Sequence, residues 1–239
     1  MSRLLLVRHA QASFLEQTYD KLSPLGETQS RLLGEFWARR KLHFDRVCSG
    51  PRLRQKDTVA IVGAAYRQMN LAFPEPLVLP ELDEYPGEAI MERSLPALLE
   101  SDGEIAGLHA SFQGSTDPQA RRKTFQKLFE AVIGKWVDEK IPSNSIEPWR
   151  DFAARVNAGL TNFLGAGESN KRVAIFTSGG PIGLAVQRAL DLSAQNALRV
   201  SWMAQNSSFS EFLFSSDRFT LSSFNAVPHL DDPALQTYR

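Results

Sequence analysis

The strongest constraint on the fold is the order of elements, in which short apolar runs alternate with segments that have one apolar face. Residues 4–7 and 172–177 are typical of buried strands. Ser23 and Pro24 suit the N-cap and first turn of a helix that we expect to run to about Arg40. Strands that alternate with helices predict a three-layer α/β fold, in which helices flank a mainly parallel central sheet.

Two further short strands are predicted at residues 44–49 and 77–79, and a C-terminal hairpin at 209–214 and 219–224. Residues 86–146 are expected to form a helical, lid-like insertion in a single domain that spans 1–239. Within it we predict a helix over 89–100, a loop rich in Gly, Ser and Asp as far as Pro118, and then a long helix. That helix carries an apolar stripe at helical spacing, which indicates packing. Insertions over a sheet edge usually determine substrate choice.

Composition narrows the class of protein. Lys plus Arg and Asp plus Glu each number 27, so the net charge is zero, which argues against a nucleic-acid partner. The single cysteine, Cys48, cannot form an intrachain disulfide. No apolar run reaches the length of a signal peptide or a membrane span, so we expect a cytoplasmic protein without a membrane partner. The four histidines, at positions 9, 43, 109 and 229, share no metal-binding spacing.

The first strand is followed at once by Arg8 and His9. In an open α/β sheet, ligands bind beyond the carboxyl ends of the strands. Neutral histidine is a nucleophile, and a neighbouring guanidinium disfavours the imidazolium form. The same guanidinium can bind a phosphate through two parallel donors. This pair therefore indicates phosphate chemistry.

Polar residues also follow the three other strands predicted before the C-terminal hairpin. Arg54 lies just after the second strand and Glu84 just after the third. The fourth ends in Ser178-Gly179-Gly180, where a glycine turn enters a helix and forms a suitable anion site. We expect all of these groups to converge at one edge of the sheet.

The helix that contains Arg54 has an unusual start. Arg52, Arg54 and Lys56 crowd its first turns, where cations oppose the helix dipole. An anionic group nearby would offset these charges, but the crowding taken alone favours a solvated basic face.

Several motifs, in order, resemble the histidine phosphatase superfamily, which has the phosphoglycerate-mutase-like fold. The opening Leu-Val-Arg-His resembles the family's Arg-His-Gly signature. Ser-x-Pro-x-x-Arg-x-x-x-Thr stands intact from Ser49 to Thr58, and Leu-Asp-Glu at 82–84 matches the element that bears the proton donor. The resemblance covers nearly the whole chain outside about 86–146.

The resemblance implies a role for each matching residue. His9 is expected to take the phosphoryl group, while Arg8 and Arg54 hold its oxygens. Glu84 is expected to protonate the leaving alcohol and then activate water, with Glu81 as the fallback acid. Ser178 and Gly179 are expected to bind phosphate. Neither a metal nor an organic cofactor is implied.

The sequence departs from the family pattern at two positions. Ala10 replaces the glycine after the first histidine, which adds one methyl group. Ser178 stands where the family has a second catalytic histidine, a donor to the phosphoryl group. Loss of one such donor typically costs about 10²- to 10³-fold in rate. His109 and His229 are candidate substitutes.

The function expected on these grounds is a metal-independent phosphatase that hydrolyses a phosphate monoester through a phosphohistidine intermediate. Two alternatives stay open. Ser178 favours a pseudophosphatase that binds a phosphorylated ligand with little turnover, and the fold also allows a phosphomutase. The expected partner is a small phosphorylated substrate. The sequence identifies neither the substrate nor the oligomeric state.

Overall fold

The computed structural model of the chain describes residues 1–13, 20–141, 146–164 and 170–238. Its strands are β1 (Ser2–Arg8), β2 (Arg46–Ser49), β3 (Leu77–Val78), β4 (Arg172–Thr177), β5 (Phe209–Phe214) and β6 (Phe219–Ala226). Its helices are α1 (Pro24–Arg39), α2 (Leu53–Gln68), α3 (Gly87–Ser101), α4 (Gly103–Gly114), α5 (Pro118–Val137), α6 (Trp149–Leu164), α7 (Gly179–Leu190) and α8 (Ala194–Met203).

The six strands form one sheet in the order β3-β2-β4-β1-β5-β6. β3, β2, β4 and β1 run parallel, whereas β5 pairs antiparallel with β1 and with β6. This arrangement confirms the predicted α/β fold with a mainly parallel sheet and a C-terminal hairpin. The four parallel strands bring their carboxyl ends to the same edge of the sheet.

Helices cover both faces of the sheet within the unit that comprises residues 1–84 and 155–239. On one face, α1 packs beside α2 over a buried apolar cluster. This cluster is formed by Leu5, Val7, Leu33, Trp37, Ala38, Phe44, Val47, Val59, Val62, Tyr66, Ala174 and Phe176. On the other face, α7 contacts β1 and β6, and α8 packs against α7. The alternation of side chains along β1 and β4 supplies apolar residues to both faces.

The start of α1 follows the sequence prediction. The Ser23 side chain accepts from the backbone N–H of Gly26 at 3.0 Å, and Pro24 occupies the first turn. Gly26 also lies against the backbone, because an added Cβ would stand 2.1 Å from the carbonyl oxygen of Gln11. The helix ends at Arg39, one residue before the predicted end.

Residues 85–154 form a second compact unit that contains α3, α4 and α5. The predicted loop before Pro118 is wrong, because α4 occupies residues 103–114. The Asp102 side chain caps α4 by accepting from the N–H groups of Glu104 and Ile105, and Ile105 is fully buried. The three glycines of this helix are the reason why the sequence indicated a loop. That this segment acts as a lid and selects the substrate stays a prediction.

No helix in the described ranges is long and apolar enough to cross a membrane. Among the same residues, His, Cys, Asp and Glu side chains form no group of three or more that could hold a metal ion.

Candidate active site

The end of the central strand places His9 at the carboxyl edge of the sheet. β1 ends at Arg8, which is in register with Thr177 at the end of the parallel strand β4. The N–H of His9 donates to the carbonyl oxygen of Thr177 at 2.8 Å. His9 and Ser178, the next residues of the two strands, therefore lie side by side.

The hydrogen bonds of the His9 ring assign its tautomer. Nδ1 lies 2.8 Å from the carbonyl oxygen of Ala10, which can only accept. Nε2 lies 3.0 Å from Nε of Arg54, which can only donate. The neutral ring with its proton on Nδ1 satisfies both contacts. Nε2 then carries the lone pair that a nucleophile needs.

The environment of His9 favours the neutral form. The residue is 6% exposed, and burial lowers the pKa of His9 well below its usual range. The charges of Arg54 and then Arg8 lower this pKa further. Arg8 was expected from the sequence to lower this pKa, but burial and Arg54, which is distant in the sequence, lower it more.

Arg54 is held in place by an acidic residue that the sequence analysis missed. Its side chain is buried, and Nη1 donates to Oδ1 of Asp20 at 2.8 Å. Oδ2 of Asp20 accepts from the N–H of Leu53, the first residue of α2, at 2.7 Å. Asp20 therefore places a carboxylate at this basic helix start. It lies 34 positions away in the chain, so no local pattern points to it.

The other predicted arginine, Arg8, also lies at this edge. Its Nη1 donates to the carbonyl oxygen of Ala204, just after α8. Its backbone N–H donates to the carbonyl oxygen of Ser208 at 3.0 Å. Arg8, the chain neighbour of His9, is thus anchored by the segment between α8 and β5. Its role in holding phosphate stays a prediction.

Glu84 meets the start of α7. Both of its carboxylate oxygens accept from the backbone N–H of Gly180, at 3.1 and 3.2 Å. A carboxylate at the first turn of a helix is favourably placed in the field of the helix dipole. The preceding turn is tied to β4, since Oγ1 of Thr177 donates to the carbonyl oxygen of Leu82 at 2.7 Å.

Arg52, at the start of α2, binds the segment that carries Glu84. Its Nε donates to Oδ1 of Asp83 at 2.6 Å, and Nη2 donates to the carbonyl oxygen of Glu84 at 3.3 Å. Asp83 thus balances a second cation at the start of α2. The basic start of α2 therefore has acidic neighbours from two other segments, and the favoured interpretation as a solvated basic face is wrong for Arg52 and Arg54.

Glu81, the fallback acid, packs against α6. Its side chain begins against α6, where an added Cβ on Gly159 would stand 2.6 Å from Cβ of Glu81. Its carbonyl oxygen accepts from Arg155 at 2.8 Å. Of the two candidate acids, Glu84 is the one whose carboxylate contacts the glycine turn.

Ser178 and Gly179 occupy the predicted strand-to-helix turn. Ser178 is the fully buried N-cap residue of α7, and its Oγ accepts from Nε2 of Gln55 at 2.8 Å. Gly179 is the first residue of α7, and a Cβ there would stand 2.7 Å from the carbonyl oxygen of Ser201. Sequence reasoning missed Gln55. The only local signal was its position directly after Arg54.

The two candidate substitute histidines lie in different surroundings. Nε2 of His229 is hydrogen-bonded to Oγ of Ser207 at 2.9 Å, and its ring stacks on Phe209 with centroids 6.5 Å apart. His109 belongs to α4, in the second compact unit, where its ring contacts Gln113. That either one replaces the missing histidine stays a prediction.

Comparison with solved structures identifies the fold. Phosphoglycerate mutase from Bacillus anthracis str. Sterne superimposes with a TM-score of 0.64 at 18% identity, covering 96% of this chain and 95% of that one. Phosphoserine phosphatase from Entamoeba histolytica, in complex with 3-phosphoglyceric acid, gives 0.62 at 16% identity, covering 96% and 100%. Bacillus stearothermophilus YhfR gives 0.65 at 14% identity, covering 97% and 100%. These likenesses confirm a phosphoglycerate-mutase-like fold.

Comparison of the sequence with protein families is more specific. No curated protein matches the chain. The family model of the histidine phosphatase superfamily (branch 1) matches residues 4–104 and 107–227, which include the candidate site. The resemblance drawn from the motifs is thereby confirmed. Because the match extends over most of its length, the chain belongs to the histidine phosphatase superfamily.

Proposed function

We propose that the protein is a metal-independent phosphatase that hydrolyses a small phosphate monoester through a phosphohistidine intermediate. The observation that carries the proposal is the state of His9. Its ring is buried and neutral, with Nδ1 bonded to Ala10 and Nε2 facing Arg54. This is the form in which histidine attacks phosphorus.

In the first half-reaction, Nε2 of His9 forms a bond to phosphorus while the bond to the ester oxygen breaks. The carboxylic acid form of Glu84 gives its proton to the departing oxygen, so an alcohol leaves and Glu84 becomes a carboxylate. Arg8 and Arg54 bind the oxygens of the phosphoryl group. Their positive charge matches the negative charge on these oxygens in the transition state.

In the second half-reaction, water attacks the phosphohistidine. Glu84 takes the proton from this water, the nitrogen–phosphorus bond breaks, and inorganic phosphate leaves. His9 returns to its neutral form. Gly180 holds the Glu84 carboxylate at the start of α7, which supports the form that takes this proton.

A second candidate function, a phosphate-binding protein with little turnover, is supported by Ser178. A serine hydroxyl stands at the end of β4, where the family's second histidine is expected, and it is bonded to Gln55. A hydroxyl is a neutral donor, so it stabilises phosphoryl charge less than an imidazolium does. A phosphomutase is the third candidate, and a requirement for a bisphosphate primer distinguishes it.

Phosphate release from p-nitrophenyl phosphate, measured from about pH 5 to about pH 8 with a chelator present, tests the proposal. We expect turnover in the wild type and none in His9→Ala. Phosphoserine and 3-phosphoglycerate belong in the same assay, because the similar folds include a phosphoserine phosphatase in complex with 3-phosphoglyceric acid. Loss of turnover on chelation contradicts metal independence.

Trapping the intermediate tests the mechanism more directly. With a radiolabelled phosphate ester and rapid quenching, we expect acid-labile, base-stable label on the wild type and none on His9→Ala. A folded wild-type protein that releases no phosphate and takes up no label supports the binding function instead. Both proteins need matching thermal unfolding curves for this comparison.

The cellular setting is part of the proposal. We place the protein in the cytoplasm, acting on a small phosphorylated molecule. Its one cysteine is buried, and burial raises the pKa of Cys48 to about 12, so the thiol is unreactive. This suits a protein that has no disulfide chemistry.

A further inference from the structure

Gln55 is a fully buried polar residue that the mechanism above does not use. We propose that Gln55 is a positioning residue, which aims the hydroxyl proton of Ser178 at the phosphoryl group carried by His9. In this arrangement, Gln55 and Ser178 together supply the donor that the family's second histidine supplies elsewhere. The inference rests on the proposed function and identifies a further part of the same site.

The orientation of the Gln55 amide is determined by its neighbours. Oε1 of Gln55 accepts from the backbone N–H of Arg52 at 3.0 Å, and this N–H can only donate. The amide nitrogen must therefore face the other way, where it lies 2.8 Å from Oγ of Ser178. Since an amide NH₂ group can only donate, Oγ of Ser178 is the acceptor in this contact.

The local packing keeps the amide in this position. An added Cβ on Gly50 would stand 2.3 Å from Oε1 of Gln55, so the backbone of Gly50 lies directly against the amide. The neighbouring residue Arg54 is engaged with His9 and Asp20. The first turn of α2 thus holds Arg54 and Gln55 in one hydrogen-bonded arrangement.

The orientation of Gln55 leaves the Ser178 hydroxyl proton available. Throughout the part of the chain that the structure describes, Oγ of Ser178 accepts from Gln55 but donates to no acceptor. Ser178 is fully buried, and a buried donor without an acceptor is destabilising. A ligand oxygen that accepts this proton removes this destabilisation.

Backbone connections place this donor beside the nucleophile. Arg8 is in register with Thr177, so His9 and Ser178 follow neighbouring parallel strands that are about 5 Å apart. Three hydrogen bonds connect these segments. Arg54 donates to His9, and Gln55 donates to Ser178. The backbone N–H of His9 donates to Thr177. The proposal places a phosphoryl group on Nε2 of His9 between the His9–Arg54 pair and the Gln55–Ser178 pair.

A double-mutant cycle tests whether Gln55 acts through Ser178. We expect Ser178→Ala and Gln55→Ala each to lower kcat for phosphate release about a hundredfold with little change in KM, as for a donor to the transition state. Gln55→Ala should add almost nothing in the Ser178→Ala background. If the effects of the two substitutions on kcat multiply in the double variant, the proposal is overturned.

A variant that preserves shape separates positioning from packing. Gln55→Glu keeps the acceptor for Arg52 but places a second acceptor against Ser178, which turns the hydroxyl proton away from the phosphoryl group. We expect it to be as impaired as Gln55→Ala, whereas a packing role predicts near wild-type kcat. Ser201→Ala is the matched control, because Ser201 is a buried serine of α8 that donates to Leu198.

Orthovanadate binding, measured by calorimetry, distinguishes failure of this inference from failure of the proposed function. Vanadate adopts the five-coordinate geometry of phosphoryl transfer. Its affinity should fall about tenfold or more in Ser178→Ala and in Gln55→Glu, and should be unchanged in Ser201→Ala. If the wild type releases no phosphate but shows this pattern, the phosphatase function fails and the positioning role holds. Equal vanadate affinity in all variants overturns the positioning role, and thermal unfolding confirms that each variant is folded.

Discussion

Nε of Arg54 donates a hydrogen bond to Nε2 of His9 at 3.0 Å, so the guanidinium covers the lone pair that we assign to nucleophilic attack. The second partner of Arg54, Asp20, lies on the other side of the guanidinium at 2.8 Å. A phosphoryl group offers Arg54 two oxygen acceptors in place of the ring nitrogen. In the proposed mechanism, substrate binding is therefore expected to expose the nucleophile as it provides new acceptors for Arg54.

The protonation state of His9 gives the first prediction. Because burial and the charges of Arg54 and Arg8 lower the pKa of His9, its ring should stay neutral well below pH 6.5. An NMR titration of the free protein should show no His9 transition near this pH. The His9→Asn variant assigns the resonance. A transition centred near pH 6.5 contradicts the neutral-nucleophile assignment.

The role of Glu84 gives the second prediction. Glu84→Gln keeps an acceptor for Gly180 but cannot donate a carboxylic proton or take one from water. We expect kcat for an alkyl phosphate to fall about 10²- to 10⁴-fold. Formation of the phosphohistidine from p-nitrophenyl phosphate should fall much less, because that leaving group needs little protonation. Rapid-quench measurement of the two substrates checks this difference, and Glu81→Gln is the matched control.

The partner of Arg54 gives the third prediction. Asp20→Ala removes an acceptor from Leu53, at the start of α2, and leaves the buried Arg54 charge without this carboxylate. We expect the free energy of unfolding to fall by at least about 1 kcal/mol, the usual cost of a lost helix cap. Urea denaturation measures this change. Asp151→Ala, at an exposed position of α6, should change stability little.

His229 gives the fourth prediction, on acid stability. Burial lowers the pKa of His229 from 6.5 to about 4, so the unfolded chain binds a proton in this range and the folded chain does not. Stability therefore falls as the pH falls from about 6.5 towards 4, by up to about 3 kcal/mol.

The His229→Asn variant isolates this contribution. Asparagine can keep a hydrogen bond to Ser207 but does not titrate, so the variant should lose less stability between about pH 7 and about pH 4.5. Chemical denaturation at the two pH values measures the difference. Equal losses in the wild type and the variant show that other groups determine the acid response.

The family's missing histidine gives the fifth prediction. Ser178→His alone should not restore a donor, because the amide of Gln55 lies 2.8 Å from Oγ of Ser178 in a fully buried site. Gln55→Ala/Ser178→His makes room for the ring and should turn over faster than Ser178→His. Steady-state kinetics of both variants decide this. If Ser178→His turns over faster than the double variant, the pocket accommodates an imidazole beside Gln55.

Much of the fold could be predicted from local patterns. The apolar run at 172–177 is found as β4, and Ser23 with Pro24 starts α1 as expected. These elements depend on apolar spacing and capping, which neighbouring residues determine. The prediction was wrong for α4, where glycines suggested a loop although Asp102 caps a helix. Burial of Ile105 within its unit stabilises that helix, and a local pattern does not show it.

The sequence by itself determined which chemical groups stand at the strand ends and to which family the chain belongs. The motifs around His9, Arg54 and Glu84 were sufficient because each is a short, ordered pattern. Only the tertiary structure decided the contacts among them. It brought Asp20 to Arg54 and Gln55 to Ser178, residues that are 34 and 123 positions apart. The physical reason is that parallel strands and their helices bring distant segments to one edge, where buried polar groups must find partners.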